Sequence, residues 1–62
     1  MNPTDEQVAE IIRRSSEGES VALTIRNMDM DLNSTLEYMK RYQDELRAAK
    51  ETFRQKEKAL GK

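Results

Sequence analysis

The sequence predicts a small α+β domain: an N-terminal helix, a short antiparallel β-hairpin and a long C-terminal helix, in a single unit of 62 residues. Three observations predict it. A capped stripe of helical period lies near the start, a polar/apolar alternation of period two fills the middle, and a seven-residue hydrophobic repeat runs toward the end.

The first helix is predicted over residues 5–16. Thr4 and Gln7 have the spacing of a capping box, and Asp5 and Glu6 lie in the first turn, where the helix dipole favours negative charge. Arg13 and Arg14 suit the opposite end, and Gly18 is placed to close the helix in a left-handed conformation. Val8, Ile11 and Ile12 form one apolar stripe that must be covered.

The hairpin is predicted over residues 20–32. If Arg26 and Asn27 make a two-residue turn, Ile25 faces Met28, Leu23 faces Met30 and Val21 faces Leu32. Those six side chains then share one face, and Ala22, Thr24, Asp29 and Asp31 share the other. The turn itself departs from the usual Asn-Gly or Asp-Gly pair, because Arg26 must take a positive φ. The alternative is an all-α helix-turn-helix with a long C-terminal helix. In it residues 21–28 form the first helix, and a recognition helix from Asn33 brings Asn33, Ser34 and Thr35 to the bases. Glu17, Glu19, Asp29 and Asp31 argue against that reading, since they would surround the reading surface and repel phosphate.

The long helix is predicted over residues 34–60, opened by a capping box of Ser34 and Glu37. Leu32, Met39, Leu46, Phe53 and Leu60 recur every seven residues, and Thr35, Tyr42, Ala49 and Lys56 fall between them, in the pattern of a short coiled-coil seam. Such a helix spans about 39 Å at its usual rise, whereas a compact chain of this size is only about 27 Å across. Its last turns must project, and Phe53 and Leu60 then call for another subunit, a partner or a fraying end.

Composition excludes most chemistry. There is no cysteine and no histidine, so disulfides and the usual zinc, haem and iron–sulfur ligand sets are absent. Ser15, Ser16, Ser20 and Ser34 have no imidazole base and read as helix-end and turn residues. Asp29 and Asp31 are too few for a calcium or magnesium site, and Gly18 and Gly61 make no phosphate-binding loop. Met28, Met30 and Met39 read as core. The expectation is a protein without enzymatic activity, cofactor or small-molecule substrate. No apolar run approaches the length of a membrane span, and the opening residues are polar and acidic, unlike a leader. Lack of cysteine fits a reducing cytoplasm. A core this thin contributes only roughly 3 to 5 kcal/mol, which makes association the expected source of further stability.

Net charge is −1 but unevenly spread: residues 1–39 hold three basic and eight acidic side chains (−5), and residues 40–62 hold eight basic and four acidic (+4). On the long helix Arg47, Lys50, Arg54 and Lys58 form a basic ridge at i, i+3, i+7 and i+11. With the apolar Phe53 and Leu60 they are the candidate partner-binding residues.

The order of helix, hairpin and long helix resembles the gpW-like head-completion proteins of long-tailed phages over roughly half the chain, from Gly18 to Leu46. Gly18-Glu19-Ser20-Val21 stands where that family leaves its first helix for the hairpin. Ser34-Thr35-Leu36 and Tyr38-Met39-Lys40-Arg41-Tyr42 look like its second helix. Two features depart from the family: a shorter hairpin without the usual turn glycine, and a longer second helix. The resemblance implies a virion component in the host cytoplasm and the assembled particle, forming a ring beneath the portal so that the tail attaches. Its implied partners are copies of itself and portal and neck proteins, with Arg54, Lys56, Lys58 and Lys62 as a basic end near packaged DNA. The expected function is thus a structural adaptor joining head to tail. The alternatives are a small helix-turn-helix transcriptional regulator, or a helical protein-interaction or inhibitor module.

Overall fold

The structure, a computed structural model, describes residues 2–61. Four α-helices follow one another: Asp5–Ser15 (α1), Val21–Asn27 (α2), Leu32–Met39 (α3) and Gln43–Leu60 (α4), with a 3-10 turn at Lys40–Tyr42 between the last two. No strand is present among the described residues. Helix α1 lies against both α2 and α4, and α2 packs on α3. Val8, Ile11, Ile25 and Met39 form the buried centre, ringed by Ile12, Val21, Met28, Met30, Leu32, Tyr38, Tyr42 and Leu46.

Helix α1 is built as its sequence predicts. The Thr4 N–H donates to Gln7 Oε1 at 2.8 Å while the Gln7 N–H donates to Thr4 Oγ1 at 3.1 Å, so the capping box is closed in both directions. At the other end Gly18 has φ +102°. The Glu19 N–H donates to the Arg14 carbonyl and the Gly18 N–H to the Ser15 carbonyl, at 3.0 and 3.1 Å, the bond pair of a Schellman closure.

The hairpin expectation is overturned: residues 21–27 are helical. Thr24 and Ile25 are both completely buried, whereas Leu23 is 50% exposed. Adjacent residues of a strand point to opposite faces, so a hairpin with one face on the core does not bury 24 and 25 together. A helix does, through the set Val21, Thr24, Ile25 and Met28 at i, i+3, i+4 and i+7. Thr24 hides this pattern from a polar/apolar reading. Its hydroxyl is satisfied locally, 3.0 Å from the Ser20 carbonyl and 2.9 Å from the Glu19 carboxylate, which lets a nominally polar residue sit in the core. Ser20 caps the helix by accepting from the Leu23 N–H at 3.1 Å. Asp29, at φ +59°, closes it: the Met30 N–H reaches the Ile25 carbonyl and the Asp29 N–H the Arg26 carbonyl. The predicted turn at Arg26 and Asn27 is therefore the last turn of a helix.

The single long helix is also corrected. It begins at Leu32 rather than Ser34, because the Asp31 carboxylate accepts from the Ser34 N–H at 2.9 Å and so supplies the cap. It is interrupted by the 3-10 turn at Lys40–Tyr42. The element order is that of the all-α alternative. The seven-residue seam nonetheless lies inside the molecule, since Thr35, Met39 and Ala49 are buried and Leu32, Tyr42 and Leu46 are packed at the core's edge.

Helices α1 and α4 run in the same direction. Tyr42, just ahead of α4, lies close enough to Asp5 at the start of α1 for that charge to help raise its phenol pKa, behind the larger effect of desolvation. At the far end the Phe53 ring covers Gly18, so closely that a Cβ there would fall 2.6 Å from Phe53 Cε1. Beyond Phe53 helix α4 outruns α1, and the molecule measures 43 × 21 × 18 Å.

Candidate interaction surface

The structure separates the six candidate residues into two groups. Phe53 is half-buried and finds its cover within the chain, on Gly18. Lys50 and Arg54 flank it and, with Ser15, Glu19, Ser20 and Glu57, line a shallow hollow of about 250 Å³ between the α1–α2 connection and α4. Arg47 is exposed, with Asp44 4.0 Å away, and Arg54 pairs with Glu51 at 3.5 Å. Both are i, i+3 pairs on a solvated helix face and contribute little.

Lys58 and Leu60 belong to a different environment. Every residue from Arg54 to Leu60 is exposed, and Leu60 is 86% exposed. Lys56 and Lys58 make no ion pair among the described residues. Lys56 and Leu60 continue, at i+3 and i+7 from Phe53, the face that α4 turns toward the core further back. That face leaves the core with none of the described residues beneath it. Lys62, the last of the proposed basic end, lies outside the described residues.

At the opposite pole a second hollow, of about 310 Å³, is formed by Asn2, Gln7, Met28, Asp29, Met30, Asp31 and Thr35. It exists because Asp29 turns the chain sharply after α2 and the Met30 N–H returns to Ile25. Methionine provides its apolar wall and Asp29 and Asp31 its exposed rim. Asp31 is held below the usual carboxylate range by its bond from the Ser34 N–H.

Between the poles an ion-pair cluster stiffens α1. Glu10 accepts from Arg13 and Arg14, at 2.8 Å and 2.5 Å, while Arg13 also reaches Glu17 at 2.9 Å and Arg14 lies 3.6 Å from Glu19. The Arg13 and then the Arg14 hydrogen bonds bring the Glu10 carboxyl down to about 2. All of these partners satisfy one another, which marks the cluster as structural. No group of three or more metal-ligating side chains occurs among the described residues, and no helix is long and apolar enough to cross a membrane.

Helix α3 holds the place of the recognition helix in the all-α alternative. It carries no cation. Its start is capped by Asp31, and its one charged residue, Glu37, is taken by Lys40 at 3.2 Å. Asn33 and Ser34 are exposed, and the cations adjoining this face in sequence are Arg26 on α2 and Lys40 and Arg41 after α3, of which Lys40 pairs with Glu37 and Arg41 lies over the Tyr38 ring.

The seven-residue repeat points toward the exposed residues at the end of α4. The hollow is hidden from the sequence, because a hairpin puts Met28 and Met30 on an inner face. The positive φ of Asp29 that creates the hollow has only a faint signal, the tolerance of aspartate for that conformation. No family model matches the chain, and neither a search of curated proteins nor a search of solved structures finds a match.

Proposed function

We propose that this chain is a non-enzymatic interaction module, a small helical body that presents the last two turns of α4 to another protein. The observation that carries this reading is the run of exposed residues from Arg54 to Leu60, which continues a helix past the end of its own core. About two turns of helix are marginal in water by themselves. They stay ordered here only as an extension of α4, and they hold out an apolar side chain among unpaired lysines.

Two observations support protein rather than nucleic acid as the target. Helix α3 itself carries no cation, and the basic ridge on α4 is diluted by Asp44, Glu51 and Glu57. The narrower role of joining head to tail in a virion leaned on the hairpin. Without that hairpin it retains only the chain's size and its basic helix for support, and we adopt the broader reading. Cofactors and small-molecule substrates have no part in it.

A photoreactive amino acid at position 60 tests the proposal in the native host. Discrete protein adducts, together with no binding of purified chain to duplex DNA beyond the weak salt-sensitive background, are the expected result. Tight duplex binding that falls steeply with salt would overturn it.

A further inference from the structure

The two poles of the molecule are complementary to each other. One end holds a hollow with a methionine wall and a rim of Asp29 and Asp31. Asp29 and Asp31 both stand exposed on that rim. The other end holds an exposed leucine with Lys56 on the same helical face, unpaired among the described residues.

These features cannot meet within one chain. The hollow includes Asn2 and Gln7, at the start of α1, and α4 projects beyond Gly18, past the end of α1. Helix α4 alone carries Leu60 about 26 Å from Gln43 at the usual helical rise.

We propose that the hollow formed by Met28, Asp29, Met30 and Asp31 receives the projecting turns of α4 from a second copy of this chain. Leu60 enters against the two methionines, whose flexible side chains adapt to it. Lys56 lays its aliphatic stem along the same wall and brings its ammonium to Asp29 and Asp31. The contact joins two different surfaces, so each copy keeps one free donor and one free acceptor. Assembly is head-to-tail, and closes as a ring or continues as a filament according to the rotation between copies. This inference rests on the interaction-module reading and names its partner.

Sedimentation velocity on purified protein over a range of concentrations tests it with two variants. Asp29→Asn with Asp31→Asn neutralises the rim, while asparagine still caps α3 and accepts the positive φ at 29. Lys56→Gln and Leu60→Gln together disable the projecting end. The wild type should associate with rising concentration and dissociate as salt is added. Each variant alone should associate at least tenfold more weakly. An equal mixture of the two should give a one-to-one complex and nothing larger, since only one working hollow and one working end remain. In the otherwise unaltered chain, a photoreactive residue at 60 should crosslink between copies to residues 28–31.

A wild type that stays monomeric up to about 1 mM, the weak limit of ordinary affinity, would overturn the proposal. So would variants that associate as the wild type does, or crosslinks that fall elsewhere. Protein adducts from position 60 in the host alongside a strict monomer would overturn self-docking alone and leave the module reading standing. Tight duplex binding would remove the module reading itself.

Discussion

At the scale of single residues, the local rules that hold are those whose chemistry acts within a few positions. The capping box of Thr4 and Gln7 and the left-handed Gly18 are legible because cap bonds and positive φ depend on neighbours alone. Thr24 is illegible for the opposite reason. Its burial depends on a carbonyl one turn back and a carboxylate from the preceding loop, and a polar letter in the sequence discloses neither. Asp31 displaces Ser34 as the cap of α3 on the same local terms, since both residues are cap formers three positions apart. Glu10 permits a pH prediction. Its carboxyl is held at about 2 by Arg13 and Arg14, against an ordinary value of 4.5. A carboxylate lowered in the folded state adds stability that is complete above its unfolded pKa and is lost as the pH falls through the folded one. Thermal midpoints of the wild type and Glu10→Gln should therefore differ at pH 7, with the wild type higher, and converge between about pH 4.5 and about pH 2. A gap that stays constant across that interval would contradict the assignment.

At the scale of elements, residues 20–32 show how a perfect alternation misleads. Six apolar residues fell on one face under a period of two, yet two of the ten assignments were reversed: Leu23 is exposed and Thr24 is buried. Moving those two residues converts the pattern to the helical set at 21, 24, 25 and 28. Charge insertion separates the two folds directly. Leu23→Glu on the helix surface should change stability by less than about 0.5 kcal/mol, while Thr24→Glu, which forces an ionised group into the core, should destabilise by more than about 3 kcal/mol. A hairpin would give the reverse order, and denaturant unfolding followed by circular dichroism reads the difference. The break between α3 and α4 left no mark in the repeat, because the 3-10 turn at Lys40–Tyr42 keeps Met39 and Tyr42 on the inside. Hydrophobic spacing reports which side of the chain is covered and is silent on a short change of helical type.

At the scale of the molecule, the seven-residue repeat has two meanings along its length. From Leu32 to Phe53 it is the inner face of the chain's own bundle, covered by α1 and α2. From Lys56 to Leu60 it is uncovered. The expectation of projecting turns was sound in kind but placed Phe53 among them, because nothing in the sequence shows that Gly18 leaves room for its ring. The chain thus divides at Phe53 into a folding unit and an exposed extension. Truncation tests that division most directly, with thermal unfolding of chains ending at residue 55 and at residue 52 set beside the full chain. The chain ending at 55 should keep its cooperative transition within about 4 °C of the parent, a change under about 1 kcal/mol, whereas the chain ending at 52 should lose much of its stability with the Phe53 ring. Collapse of the chain ending at 55 would show that the last turns are needed for folding, and the division would be wrong.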